Sequence, residues 1–260
     1  MTTLQFLVST MNNRFDAAGA RLDPARCIVV NQVDEPDLDR AEAWASPIRS
    51  VGGVVVNVAE RGLSKSRNRA IAAAKGDICV ISDDDIIFDA DASERLEAMF
   101  RDHPEADVIT FQARSDKGHP LRRYPPTSYK HTVLTSLNVV SIEIAFRLDA
   151  VRRSHVQFDE RFGLGAEYVS GEENIFVSDL VRSGLAAIYV PECIVTHSGE
   201  PSGGQFESDR VAISKGAIIR RVLGKFSLPI VVLFAIKKSV QHEENPARMI
   251  SLAVKGWRKL

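Results

Sequence analysis

The strongest constraint on this chain is an alternation near its start, in which short apolar runs are separated by stretches with room for a helix. Residues 4–9 (LQFLVS), 27–31 (CIVVN), 54–58 (VVVNV) and 77–82 (DICVIS) each read as a short buried strand. Between the last two lies LSKSRNRAIAAAKG, residues 63–76. Its alanines favour helix, Ser64 is the expected N-cap and Gly76 the expected stop. Strand, helix and strand in repetition predict βαβ units and a mostly parallel sheet.

The pattern continues less regularly. ERLEAMFRD after Ser93 reads as a short helix closed before Pro104, and residues 106–114 and 137–147 read as further strands. Residues 115–130 (SDKGHPLRRYPPTSYK) are proline-rich, basic and aromatic, and are expected to form a loop or flap. Residues 172–184 form an amphipathic helical pattern with Gly184 as the stop, after which LAAIYV returns to the sheet. At 260 residues, 45% hydrophobic and 26% charged, the chain suits one α/β domain with an appendage. The expected division is residues 1–205 and 206–260. That composition excludes a disordered chain, a collagen or a disulfide-stapled miniature. Cys27, Cys79 and Cys193 are odd in number and widely spaced, which argues for inert thiols in a reducing compartment.

Charge is unevenly distributed. Residues 210–260 carry eleven Lys/Arg and only Glu243 and Glu244 as acids, a local +9 within a chain of net −1. An acidic body of −10 is a poor partner for nucleic acid, whose binding needs a basic face. A basic, apolar-rich tail suits an anionic surface. The N-terminus lacks the basic and apolar regions of a secretory signal. The longest apolar stretch, residues 226–236, contains Pro229 and is far shorter than the roughly 20 residues of a spanning helix. A cytoplasmic protein is expected, peripheral to the inner membrane face or soluble.

Directly after the buried run ICVIS stand Asp83, Asp84 and Asp85. Three adjacent carboxylates repel one another unless a cation sits among them. In open α/β sheets ligands bind outside the carboxyl ends of the strands, and Mg²⁺ or Mn²⁺ takes oxygen ligands there together with substrate phosphates. An exposed acidic turn is the plain alternative.

The stretch RGLSKSRNRAIAAAKGDICVISDDDIIF resembles the donor-binding core of the family 2 glycosyltransferases, which have the GT-A fold: a Rossmann-like, mostly parallel mixed sheet flanked by helices. The resemblance implies that Asp85 ligates a divalent cation bridging a nucleotide diphosphate. It implies also that Asp83 contacts the nucleotide ribose or the metal shell, that Asp84 belongs to the nucleotide-sugar site and that Arg67 contacts the nucleotide. Thr10, Asn31 and Gln32 fall where the family cradles the base. The second strand is often followed by aspartate, whereas here Asn31, Gln32 and Val33 precede Asp34, which leaves the base open.

A second acidic pair stands in YVSGEENIFVSDLVRSG. Ser170 is a candidate N-cap, and Glu172 and Glu173 in a first helical turn would be favoured by the helix dipole alone. The resemblance implies more, because the family places an acidic pair here whose second member is the general base. That position is Glu173, a glutamate where aspartate is more frequent, with Glu172 orienting the acceptor. Gly163, Gly165 and Gly171 suit a close approach of backbone to sugar. His197, after the run YVPECIVT, falls where many such enzymes place the last metal ligand. The implied activity is a metal-dependent, inverting hexosyltransferase-type reaction. A sugar would pass from a nucleotide-diphosphate donor to a saccharide or lipid-linked acceptor, as in bacterial-type surface polysaccharide synthesis.

Rival readings are a non-catalytic nucleotide-sugar or glycan-binding module, which would keep the aspartates but not need Glu173, and a DxD phosphatase, disfavoured by Ile87. A sugar nucleotidyltransferase would want a glycine-rich N-terminal loop, which STMNNRFDAAG is not. The resemblance places the strand of Glu143 near the acceptor, but an edge-strand ion pair is the expected reading. Tyr124 and Tyr129 are candidates to stack on a sugar ring or close over the donor, with packing or plain exposure the expected reading. Trp44 and Trp257 carry no signal. The C-terminal segment reads as short helices broken at Gly224 and Pro229. It would attach to membrane, or pack on the domain or on a second subunit of a homodimer.

Overall fold

The computed structural model describes residues 2–34, 37–198 and 209–260. The four apolar runs form β1 (Leu4–Met11), β2 (Cys27–Gln32), β3 (Val54–Val58) and β4 (Ile78–Asp83). They lie parallel in the order β3-β2-β1-β4, with α1 (Leu38–Ser50) and α2 (Leu63–Ala73) as crossovers. β2 is buried at every position, as a strand covered on both faces must be. The carboxyl ends of all four therefore open on one edge, where Asp83 terminates β4.

Beyond β4 follow β5 (Ile86–Phe88), α3 (Ala92–Asp102), β6 (Val108–Ser115), β7 (Tyr129–Lys130), β8 (Ile144–Arg147), α4 (Leu148–Ser154), α5 (Glu172–Arg182) and β9 (Ala187–His197). The sheet order is β3-β2-β1-β4-β8-β6-β9-β5, with β7 also on β9. β8 runs antiparallel between β4 and β6, so the sheet is mixed, its long ladders parallel and its short ones antiparallel. Alternation along the strands feeds two cores. Phe6 and Val8 pack with Phe88, Leu96 and Phe111 on one face, and Leu7 with Ile81, Phe146 and Phe176 on the other. Pro191, which has no N–H to donate, stands in β9 where the β6–β9 register shifts.

Several sequence expectations need correction. Gly62, with φ +128°, caps α2 instead of Ser64, whose hydroxyl donates to the Phe162 carbonyl at 2.6 Å. That helix ends at Ala73, with Ala74 as its C-cap, before Gly76 is reached. Residues 137–147 are not one strand: they take in the end of one 3₁₀ turn, Thr135–Asn138, and all of a second, Ser141–Glu143, and only Ile144–Arg147 forms a strand. Gly171, not Ser170, is the N-cap of α5. Gly184 does close that helix. At φ +91° it lets the Leu185 N–H reach the Leu180 carbonyl and its own N–H the Val181 carbonyl.

The C-terminal segment forms α6 (Asp209–Leu223), α7 (Leu228–Gln241) and α8 (Pro246–Lys259). Gly224 ends α6, but Pro229 lies in the first turn of α7 and starts that helix, where its missing N–H costs nothing. α6 joins the three helices to the body, Ala217, Ile218 and Val222 packing on Phe162, Tyr168 and Ile175. α6 and α8 touch through backbone. A Cβ on Gly216 would stand 1.8 Å from the Ala253 carbonyl oxygen, and one on Gly256 1.8 Å from that of Ile213. The expected boundary at 205/206 lies outside the described residues. Among the described residues no helix is long and apolar enough to cross a membrane. The three cysteines are free, and burial pushes the Cys27 and Cys79 thiols up to about 12, which leaves them unreactive.

Candidate active site

Two short acidic runs from distant parts of the chain meet at one arginine. Arg67, in the second turn of α2, has no exposed surface. Its Nη1 donates to Glu172 Oε1 at 2.7 Å and its Nη2 to Asp83 Oδ1 at 3.0 Å. Burial opposes the guanidinium charge, but Asp83, Glu172 and Glu173 outweigh it and hold the group protonated above its ordinary range. Its Nε is buried without a partner. Arg67 therefore ties the end of β4 to the start of α5, and its expected direct contact with the nucleotide does not fit a side chain enclosed in this way.

The three aspartates diverge. Asp83 is held by Arg67, and the Ser141 hydroxyl lies 3.4 Å from its Oδ2. Asp84 accepts from Thr10 Oγ1 at 2.6 Å and pairs with Arg14 Nη2 at 3.2 Å, which fastens it to the end of β1. Asp85 is left over. Its Oδ1 is buried and has no hydrogen-bond partner, while Oδ2 stands 3.6 Å from His197 Nε2. Burial raises the Asp85 carboxyl above the usual range; His197 works against the rise and Asp83 and Asp84 add to it. Strand pairing makes this meeting, because His197 ends β9 opposite Ile86, and the Ser198 N–H donates to the Asp85 carbonyl at 2.9 Å. No cluster of three or more His, Cys, Asp or Glu side chains able to hold a metal ion occurs among the described residues. Asp85 and His197 are one carboxylate and one imidazole side by side, fewer groups than such a cluster. An orphaned carboxylate oxygen beside an imidazole fits a cation whose remaining ligands come from phosphates and water.

At the start of α5 the division repeats. Glu172 is buried and engaged by Arg67, whereas the Glu173 carboxylate is hydrogen-bonded to no other described residue. Burial, with Glu172 alongside, pushes the Glu173 carboxyl up to about 8; Lys215 and Arg67 oppose that rise. Lys215 comes from α6, which reaches this corner because Val169 N–H donates to Ser214 Oγ at 2.9 Å and Gly171 sits against Ile218.

The other expected positions play different parts. Asn31 is fully buried, its amide donating to Asn13 at 2.7 Å and Asn57 at 2.8 Å and its carbonyl accepting from the Asn13 N–H. It braces the turn at Asn12 and Asn13, both at positive φ, and has no surface to offer a base. Gln32 is buried and donates to the Gly62 carbonyl at 3.1 Å. The glycines approach their own chain: a Cβ on Gly163 would meet the Glu172 carboxylate and one on Gly165 the Gly62 backbone. Glu143 is fully buried in a 3₁₀ turn, not on an edge strand. Arg122 Nη2 at 2.6 Å and Tyr124 Oη at 2.5 Å donate to it, and burial still raises its carboxyl. This pins the 115–130 flap beside the turn that carries Ser141. Tyr129 packs between His131 and Tyr189. Trp257 donates to Ser227 Oγ, and Trp44 packs half-buried on the core.

Lys215, Ser141, Arg14 and Arg122 were missed by sequence reasoning. Only Arg14, just past the end of β1, stood where a strand-end argument could have found it.

A family model described as "Glycosyl transferase family 2" matches residues 11–158. No curated protein matches the chain. Among solved structures, S. aureus TarS 1-349 in complex with UDP is similar at TM-score 0.61 and 16% identity, over 92% of this chain and 72% of that one. The same TarS fragment in complex with UDP-GlcNAc gives TM-score 0.61 at 15% identity, over 91% and 73%. A longer S. aureus TarS structure gives 0.57 at 17% identity, over 90% of this chain and 43% of that one. The likeness is one of fold, a mixed α/β sheet of the GT-A type.

Proposed function

The chain belongs to glycosyl transferase family 2, and on that premise we propose that it is a cation-dependent, inverting hexosyltransferase-type enzyme. The observation that carries this reading is the shared arginine. Arg67 neutralises one acid of each cluster, while among the described residues Asp85 Oδ1 is buried without a hydrogen-bonding partner and the Glu173 carboxylate accepts from no other residue. The proposed donor is a nucleotide-diphosphate sugar, the class of ligand carried by the TarS complex with UDP-GlcNAc. The proposed acceptor is a hydroxyl of a saccharide or lipid-linked glycan, as in bacterial-type surface polysaccharide synthesis. The work would be done in the cytoplasm or at the cytoplasmic face of the membrane.

Asp85 and His197 would hold the cation, Mn²⁺ or Mg²⁺. When bound it supplies positive charge to the diphosphate as that group leaves. Asp83, fixed by Arg67 and Ser141, bounds the donor site, and Asp84 draws the β1 end and Arg14 toward it. On the acceptor side Glu173 takes the hydroxyl proton while the oxygen forms its bond to the anomeric carbon and the bond to the diphosphate breaks. One displacement from the opposite face inverts that carbon. Glu172, fixed by Arg67, holds the first turn of α5 in place so that Glu173 faces the acceptor.

A thermal-shift screen of UDP-, GDP-, dTDP- and CMP-sugars with Mn²⁺ and Mg²⁺ tests the reading. One nucleotide class is expected to stabilise the chain, more strongly with cation than without. No stabilisation by any sugar nucleotide in the presence of either ion would overturn it.

A further inference from the structure

Helix α7 is apolar on two sides and covered on one. Val231, Ala235 and Ser239 face inward, where Val231 and Ala235 pack with Ala212, Ile219, Met249 and Ala253 of α6 and α8. On the other side Leu233 is 67% exposed, Ile236 41% and Val240 73%, with Ile230 at the margin and Phe226, in the preceding turn, 85% exposed. The spacing 230, 233, 236 and 240 places these side chains on one stripe. Isolated exposed apolar residues need no explanation, but among the described residues most of the large ones are gathered within residues 226–240.

The stripe is edged with positive charge. Lys237 is exposed within it, and Lys225 lies with Nζ 5.2 Å from the centroid of the Phe226 ring. Residues 210–260 carry +9 overall. At 14 residues α7 is about 21 Å long, too short to cross a bilayer and long enough to lie flat in its interface.

We propose that this stripe docks on an anionic lipid surface, with Phe226, Leu233, Ile236 and Val240 at the boundary of headgroups and acyl chains and Lys225 and Lys237 against lipid phosphates. Charge decides between lipid and a second copy of the chain. A two-fold contact through the stripe would bring the lysines of one copy against those of the other, whereas anionic headgroups neutralise them. Docking α7 would bring the site on α5, joined to it through α6, close to lipid-borne substrates. The inference rests on the proposed transfer reaction only for the identity of those substrates.

Flotation of the full chain with vesicles tests it without any sugar transfer, so its failure is distinct from failure of the transferase reading. The chain is expected to float with vesicles of phosphatidylcholine and phosphatidylglycerol in equal parts, and far less with phosphatidylcholine alone or in high salt. Leu233→Glu should lower flotation roughly tenfold or more. The surface double variant Lys225→Glu/Lys237→Glu, which leaves every apolar contact intact, should do the same on the anionic vesicles alone. Unchanged cation-dependent thermal stabilisation by sugar nucleotide would show both variants folded. Absence of flotation by the parent chain, or undiminished flotation of both variants, overturns the proposal. So does a parent that is dimeric by light scattering and becomes monomeric on Leu233→Glu.

Discussion

The acids at the end of β4 and those at the start of α5 solve one electrostatic problem in two ways. In each run one carboxylate is neutralised by Arg67, Asp83 in the first and Glu172 in the second. In each run a neighbour lacks that relief: among the described residues Asp85 keeps a buried oxygen without a partner, and Glu173 has a raised carboxyl and no hydrogen bond from another side chain. The two exceptions differ in the basic groups that oppose their rise. Asp85 faces the imidazole of His197, a side chain that can share a cation with it. Glu173 is opposed by an ammonium, Lys215, and by the already committed Arg67. The first arrangement suits holding a positive ion, the second suits taking up a proton. Pairing thus separates Asp83 and Glu172, held by Arg67, from Asp85 and Glu173 within runs that look uniform in sequence.

Arg67→Met breaks the comparison outright and should have the largest effect. It leaves Asp83 and Glu172 without their shared cation in a buried setting, a loss of roughly 3–5 kcal/mol of stability. Denaturant unfolding measures that loss, and transfer should fall below detection. A stable variant that kept transfer would show that the two acidic runs do not depend on one another.

Two single changes sharpen the comparison. Asp85→Asn should lower transfer on the order of a thousandfold and remove the cation-dependent part of the thermal stabilisation by sugar nucleotide. Glu173→Gln should lower transfer about a hundredfold or more while leaving that stabilisation intact. The Gln variant has a second signature. The Glu173 carboxyl is raised from 4.5 to about 8, so the folded state holds its proton more tightly than the unfolded one. Stability contributed by that proton is complete at low pH and declines as pH rises through this window. Glu173→Gln should therefore melt above the parent at and beyond pH 8 and show a flatter dependence below it. Equal melting curves at all pH values would mean that Glu173 is not strained in the folded protein.

The first half of the sheet was legible because its signal is local: four apolar runs, helix-forming alanines between them, and carboxylates at a strand end. The acidic runs are local in the same way, but Asp85 and Glu173 were singled out within them only by the resemblance to family 2 glycosyltransferases. What escaped depends on contacts far apart along the chain. Nothing near Arg67 announces that its second partner is Glu172, 105 residues on. Asn31 and Gln32 were placed correctly at the end of β2, but whether an amide turns outward to a ligand or inward to Asn13 and Gly62 is decided by packing. Residues 137–147 have strand-like composition, yet the buried Glu143 carboxylate needs Arg122, Tyr124 and the Val140 N–H around it, and a 3₁₀ turn supplies that geometry where a strand would not.

The smallest expected effect tests whether the C-terminal helices belong to the site. Lys215 sits on α6, outside the segment matched by the family model, yet its ammonium favours the ionised form of Glu173. That influence depends on a physical seam, the Val169 to Ser214 hydrogen bond and the contact of Gly171 with Ile218, which carries α6 against the first turn of α5. Lys215→Met keeps the aliphatic stem and removes the charge. The Glu173 carboxyl should then rise further, so the limb of kcat/KM that climbs toward pH 8 should move to higher pH. Activity near neutrality should fall severalfold, while the plateau above the limb and the stabilisation by sugar nucleotide with cation stay unchanged. Lys215→Arg should restore the parental limb. A profile that does not move would assign the base to a group other than Glu173, or place Lys215 too far away to act on it.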